Sequence, residues 1–464
     1  MSRRGRLTLL ALGCALGLAV GAPWVVSRLG GEAAEGSTRA GGYAGGGSGI
    51  AAPDGVFARL PVGAENAVYT YSDEPSGSAS SGVTFASASS DPFAGPRLAE
   101  VIPAPFDRPD LEGPLRVEYS LDAELTRRVF KVLRNSRVER GHVIVLDPKT
   151  GRVLTYASTD PVGFPPTRAY PAASLVKIVT ADALLETQAE RAYDLCLYRG
   201  NPYRLRPGRL KRPKTGRRVS LEMALATSNN QCFAQFAVND VGSLSLLDAV
   251  DRFGWLDQAG PGHDAGIVEP GSNEYQLGKL GCGLAGCRIT PLHAARLAAT
   301  LANGQSVEPW WVDRVVDGQG RELVGPPRPE PRRVLSRERA DELREMMVRT
   351  TTRGTARSAF RDRRGRPKLG PVKVSGKTGN ISGSEPRGRY EWFVGAAPAD
   401  DPTVAVAVVQ VHGHLWWKKS SEIAADVFSQ VFCEKRRCEP QLANRYTGRL
   451  GEPAAPIFLS ESGR

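Results

Sequence analysis

At 464 residues the chain can hold two or three average domains, or one large domain with non-globular segments, and 41% apolar residues permit a sizeable core. The formal charge of +12, from 61 basic and 49 acidic residues, is spread along the chain. No nucleic-acid-binding fold signature accompanies the excess, so DNA and RNA are set aside as partners.

Arg3, Arg4 and Arg6 precede an uncharged stretch from Leu7 to Ser27, rich in Leu, Ala, Val and Gly. About twenty such residues suffice for a helix to cross a hydrocarbon core of ~30 Å. The arginines should stay cytoplasmic, which makes residues 1–28 an expected single-pass signal-anchor and sends the rest of the chain outward. A cleaved signal peptide is the alternative, although Pro23 would then follow the cut after Ala22. Residues 29–114 are dominated by Gly, Ser, Ala and Pro, the composition of a flexible linker. Such a coil spans roughly 50 Å on average and would hold a folded domain away from a bilayer.

From Leu115 the texture changes. Val117–Asp122 reads as a strand entering a helix from Leu125 to Leu133, and His142–Leu146 with Arg152–Tyr156 reads as a β-hairpin around Asp147-Pro148-Lys149-Thr150-Gly151. Helical periodicity follows at Ser174–Thr187, Leu221–Thr227, Pro291–Ala302 and Ser336–Arg349. Strands return at Pro371–Val374, Glu391–Ala396 and Thr403–Val411, before a last helix at Ser421–Phe432. Strands at both ends with helices between them argue for an α+β fold over residues 115–435. Its antiparallel sheet is flanked by helices and carries an inserted all-α subdomain. Residues 436–464 read as an irregular tail.

Between the helical segments, Arg199 to Arg218 carries nine Lys/Arg and no acid. Such a run can touch anionic lipid or an acidic polymer, or be a solvated loop. Outside Cys14 the cysteines are Cys196, Cys232, Cys282, Cys287, Cys433 and Cys438. In an oxidising compartment an even count suggests disulfides. Proximity pairs Cys282 with Cys287 and Cys433 with Cys438, leaving Cys196 with Cys232; buried free thiols are the alternative for each pair. The absence of C-x-x-C spacing and of a histidine cluster argues against zinc, and no cofactor or metal is expected.

Three short motifs carry chemistry. Ser174-Leu175-Val176-Lys177 opens a helix, where the hydroxyl lies near the positive dipole end and Lys177, one turn on, shares its face. A neutral Lys177 amine can take the Ser174 proton, which requires its pKa to fall by ~3 units through burial and neighbouring charge. Ser228-Asn229-Asn230 follows the Leu221–Thr227 helix; Ser228 can relay a proton and Asn230 can bind a substrate amide. A helix C-terminal turn explains the same residues without function. Lys-Thr-Gly occurs at 149, 214 and 377, and the first two sit in turns. Lys377-Thr378-Gly379 lies on a strand followed by a β partner, where Lys377 and Thr378 can hold a carboxylate and the strand edge can pair with an extended peptide. The backbone N–H groups of Ser174 and Asn380 can form an oxyanion hole.

These three motifs, on helix, loop and strand in that order, resemble the active-site set of penicillin-recognising serine acyltransferases. From about Val117 to Phe432 the chain resembles the transpeptidase domain of penicillin-binding proteins. Supporting matches are Ser120–Leu125, Gly283–Leu292, Arg353-Gly354-Thr355-Ala356 and Trp392–Pro398. The resemblance implies a peptidoglycan D,D-transpeptidase of the bacterial cytoplasmic membrane with its catalytic domain in the periplasmic or extracytoplasmic space. It implies that Ser174, Lys177 and Ser228 are catalytic, and that Asn230, Lys377, Thr378, Gly379 and Asn380 bind substrate. Expected partners are peptidoglycan stem peptides, β-lactams, the membrane and a separate glycosyltransferase.

Two departures stand out. The linker is too short and Gly/Ser-rich for the usual amino-terminal pedestal, and Asn380 stands where many relatives have Thr. The rival readings are a hydrolase, either a D,D-carboxypeptidase or a serine β-lactamase, and a non-catalytic β-lactam or muropeptide sensor. Against a β-lactamase, no E-x-E-L-N segment supplies a deacylating Glu. A sensor needs a cytoplasmic output, and only six residues precede the apolar stretch.

Overall fold

The structure is a computed structural model and describes residues 50–60, 84–86, 97–413, 417–435 and 437–448. The expected membrane anchor at residues 1–28 lies outside the described residues, as does the end of the tail from 449. Among the described residues no helix is long and apolar enough to cross a membrane.

In chain order the elements that frame the site begin with α1 (Ala123–Asn135), β1 (Arg140–Leu146) and β2 (Val153–Ser158). A helical region follows: α2 (Val176–Thr187), α3 (Leu221–Ala226), α4 (Asn230–Phe236), α5 (Glu274–Cys282), α6 (Pro291–Thr300) and α7 (Arg337–Thr352). The chain then returns through β3 (Ser375–Ser384), β4 (Arg387–Ala397) and β5 (Val404–His412) to α8 (Ser420–Phe432). Side chains placed by sequence cap several of these helices. Asp122 accepts from Leu125 N at 2.7 Å to start α1, and Thr290 accepts from His293 N at 3.3 Å to start α6.

The five strands form one antiparallel sheet in the order β3-β4-β5-β1-β2, so both ends of the domain build it, as the sequence suggests. Alternate side chains separate its two faces. Val143, Val145, Phe393, Val406 and Val408 pack with Leu125 and Val129 of α1 and Ile423, Val427 and Phe428 of α8. Ile144, Trp392, Val394, Ala407 and Val409 face the other way, into the core that contains Leu292, Ala295 and Leu297 of α6. Covering on both faces explains why β5, Val-Ala-Val-Ala-Val-Val-Gln-Val-His, is nearly continuously apolar and buried.

Four details correct the expectations. The inserted region is helix-rich but not all-α: Cys196–Tyr198 pairs with Arg217–Val219, and Gly266–Val268 pairs with Cys287–Ile289. Pro202, Pro207 and Pro213 prevent the basic run from continuing as helix, so it closes as a hairpin. Residues 371–374 are not strand; the strand begins at Ser375 and therefore includes the Lys-Thr-Gly triplet itself. Part of the Gly/Ser-rich stretch is folded onto the domain. Arg97–Ile102 pairs with Leu115–Asp122, Val56 is buried, and Arg59 ion-pairs with Glu100 at 2.6 Å. The tail also begins ordered, with Ala443 and Tyr446 buried against the α1 and α8 core. Apolar residues spaced within these weakly patterned segments find partners that local periodicity does not reveal.

Candidate active site

The site is built around α2. This helix is buried on nearly all sides, as a helix apolar around its circumference should be. Its two buried charged residues each have a purpose. Asp182 ties it to neighbouring helices through Arg252 at 2.7 Å and Arg339 at 3.1 Å, while Lys177 points at the preceding turn. Ser174 lies in a 3-10 turn, Ala173–Leu175, immediately before α2. Ala173 holds a left-handed φ of 48°, a conformation that costs a non-glycine residue about 1–3 kcal/mol. The backbone of Gly283 packs directly on it: a Cβ there would approach the Ala173 carbonyl oxygen to 1.8 Å.

Four groups surround the Lys177 amine. Nζ lies 2.6 Å from Ser174 Oγ, 2.7 Å from Asn230 Oδ1, 2.8 Å from the Cys282 carbonyl oxygen and 3.3 Å from Ser228 Oγ. Burial lowers its pKa from 10.5 to about 8, partly offset by the neighbouring Cys282. Two of the four groups come from the second motif. Ser228 ends α3 in a left-handed conformation, φ 57°, and Asn229 caps α4 by accepting from Cys232 N at 3.2 Å. Ser228-Asn229-Asn230 thus ends one helix and caps the next, and the same segment brings Ser228 and Asn230 into contact with Lys177. Asn230 differs from expectation: Nδ2 donates to the Tyr203 carbonyl at 2.9 Å, so its amide orients Lys177 and holds a loop instead of opening to the cleft.

The third motif arrives on β3, the edge strand. Lys377 sits opposite Val394 on the face toward the helical region and is fully buried. Its Nζ donates to Ser228 Oγ at 3.0 Å and to the Thr378 carbonyl at 2.8 Å. Burial and the nearby Lys177 hold its pKa well below the usual lysine value. Of the other triplets, Lys149 is exposed and ion-pairs with Asp401 at 3.2 Å, and Lys214 is exposed in the basic hairpin. Thr378 Oγ1 meets Thr355 Oγ1 at 2.6 Å. The Asn380 side chain leaves the strand on the face opposite Lys377 and donates to Glu391 Oε1 at 3.0 Å. Gly379 lets the strand pass the turn before Ser174, since a Cβ there would lie 3.2 Å from that of Ala173.

A cavity of about 260 Å³ opens beside Ala173, between Gly283, Leu284 and Arg288 on one side and Ile381 and Ser382 of β3 on the other. Three site contributors were not singled out as such from sequence: the Cys282 carbonyl, Gly283 and Thr355. All three lie in or beside segments that support the family resemblance, which is the signal that could have found them. Among the described residues no group of His, Cys, Asp or Glu is arranged to hold a metal.

Two of the three expected disulfides are present, Cys196–Cys232 and Cys433–Cys438. Cys282 and Cys287 are instead free and buried. The Cys282 backbone is committed to Lys177 and the end of α5, while Cys287 begins a paired strand, so each thiol is held by a different element.

Comparison with known proteins places this geometry. Residues 141–432 match the penicillin binding protein transpeptidase domain family. The chain belongs to that family. It is 27% identical over 317 residues to the peptidoglycan D,D-transpeptidase PbpA of Mycolicibacterium smegmatis, covering 59% of this chain and 62% of that relative. The matched part therefore spans about three-fifths of the relative's length. The crystal structure of PBPA from Mycobacterium tuberculosis shares the fold with a TM-score of 0.54 at 23% identity, covering 67% of this chain and 81% of that one. An imipenem acyl-enzyme complex of penicillin-binding protein A from M. tuberculosis aligns with a TM-score of 0.53 at 22% identity, covering 67% and 78%.

Proposed function

We propose that this penicillin-binding protein is a peptidoglycan D,D-transpeptidase that works through a Ser174 acyl-enzyme and is acylated by β-lactams. The observation that carries the reading is the 2.6 Å contact between Lys177 Nζ and Ser174 Oγ, in a buried environment that lowers the pKa of the amine to about 8. The family and the PbpA relatives support the substrate class.

Lys177 takes the Ser174 proton as Oγ attacks the carbonyl of a D-Ala-D-Ala end. Backbone N–H groups of Ser174 and Asn380 receive the oxyanion. Ser228, in contact with both Lys177 and Lys377, passes the proton to the leaving D-Ala amine as the C–N bond breaks. An acceptor amine from a neighbouring strand then attacks the ester and gives its proton to Lys177, which passes it to Ser174 Oγ as the ester C–O bond breaks, leaving a new amide, a free Ser174 hydroxyl and a neutral Lys177. Lys377 acts chiefly by holding Ser228, while Thr378, Gly379 and the β3 edge align the peptide.

The reading includes a single-pass anchor at residues 1–28 in the bacterial cytoplasmic membrane, a Gly/Ser-rich tether, an extracytoplasmic catalytic domain and a separate glycosyltransferase as partner. The two disulfides support an oxidising compartment.

Mass spectrometry after incubation with penicillin should place one adduct on Ser174, and Ser174→Ala should carry none. Product analysis with a donor pentapeptide should give a cross-linked product when an acceptor amine is present. Release of D-Ala with hydrolysis alone would make the protein a carboxypeptidase.

A further inference from the structure

The basic run is unaccounted for by acyl transfer. Of its nine cations, Arg212 pairs with Asp240. Arg204, Arg206, Lys211, Lys214, Arg217 and Arg218 are exposed, with no carboxylate in ion-pair contact among the described residues. Like charges this dense repel one another, so the arrangement is costly until an anion arrives.

The run is nevertheless fixed in place. Cys196, just before it, is bonded to Cys232 on α4. Side-chain amides from α4 then grip its backbone: Gln231 Nε2 donates to Asn201 O at 2.6 Å and Arg199 O at 2.9 Å, and Gln235 Nε2 to Arg209 O at 3.2 Å. Asn239, just beyond the helix, donates to Leu210 O at 2.8 Å. The nearest grip is Asn230, whose other amide atom touches Lys177. A loop that served only solubility would need none of these bonds.

From this we infer that the Arg199–Arg218 hairpin is a docking platform for a polymer strand bearing repeated carboxylates, namely the peptidoglycan glycopeptide whose peptide enters the cleft. The inference rests on the proposed substrate. Its basis is charge complementarity and position, because one side chain, Asn230, separates the platform from the catalytic amine.

The test uses full-length protein in detergent and wall sacculi stripped of phosphate polymers. Co-sedimentation is measured at about 50 mM and about 300 mM salt, either side of the ~10 Å screening length at 0.1 M. The platform predicts retention at low salt that falls about tenfold at high salt, and a similar fall when the sacculus carboxylates are amidated. The combined variant Arg206→Gln, Lys211→Gln, Lys214→Gln and Arg217→Gln should also lose about tenfold, with acylation by soluble penicillin within about threefold of the parent. Failure of the parent to bind, or retention indifferent to amidation, overturns the inference even if the variant misfolds. So does a preference confined to anionic over neutral vesicles. Absence of penicillin acylation in the parent would instead defeat the transpeptidase reading.

Discussion

Lys377 and Ser228, 149 positions apart in sequence, meet at 3.0 Å with the amine donating to the hydroxyl. This contact distinguishes the Lys-Thr-Gly at 377 from those at 149 and 214. Lys377→Met keeps most of the buried volume while removing the donor, and should slow acylation by penicillin about 100-fold, or ~2.7 kcal/mol. Lys149→Ala and Lys214→Ala change exposed side chains and should shift the same rate by no more than ordinary surface substitutions, about 0.5 kcal/mol. Second-order acylation rates for the three variants test this; equal losses at 377 and 214 would contradict it.

On the proposed mechanism Lys177 should set the pH dependence. With a pKa near 8, about one molecule in eleven holds the amine neutral at pH 7, against about one in three thousand at 10.5. The acylation rate should rise about tenfold from pH 6 to 7 and level off above the pKa. The sign for stability follows as well: the folded pKa is depressed, so the folded state releases its proton first and stability increases as pH rises from about 8 toward 10.5. A flat rate profile between pH 6 and 9 would assign the base elsewhere.

Ser228 separates stability from activity. Its φ of 57° suits glycine better than serine. Ser228→Gly relieves the left-handed φ but leaves two buried amines one acceptor short, so stability should change by no more than about 1 kcal/mol, while acylation slows at least about 100-fold through loss of the hydroxyl. Parallel loss of both would show that the hydroxyl matters to folding alone.

The cysteines can be read chemically. Burial pushes the Cys282 thiol up to about 11 and Cys287 well above its usual value, so neither should react with iodoacetamide in the native protein. Unfolding without reductant should label both and spare Cys196, Cys232, Cys433 and Cys438. A disulfide-linked peptide joining 282 to 287 would overturn the assignment. Removing Cys196–Cys232, which closes a separation of 36 residues, should cost about 4 kcal/mol on loop entropy.

Gly283 supports Ser174 from outside the three motifs. Gly283→Ala places a methyl against the Ala173 carbonyl and strains a φ of 74°. The displaced turn should cut acylation by at least about tenfold through misplacement of Ser174. Wild-type acylation by a variant that folds normally would show that the turn is held by other contacts.

The sequence by itself determined the three motifs, their order, and the elements that carry them. The continuous apolar run of Val404–His412 and the 3.6-residue pattern of Ala123–Asn135 are local consequences of burying two faces or one. It also separated the sheet-forming ends of the domain from the helical middle. Tertiary structure alone decided which groups meet. Nothing local in Asn230 says that its amide is divided between Lys177 and Tyr203, or in Asn380 that its side chain turns to Glu391. Nothing local told Cys282 and Cys287, five apart, from Cys433 and Cys438, also five apart, yet only the second pair is joined. Their backbones settle it: Cys433 and Cys438 face each other across a paired hairpin, whereas Cys282 ends α5 and Cys287 starts a strand paired elsewhere. A disulfide needs Cα atoms within about 7 Å and converging Cβ directions, and those are properties of the packed chain, not of spacing along it.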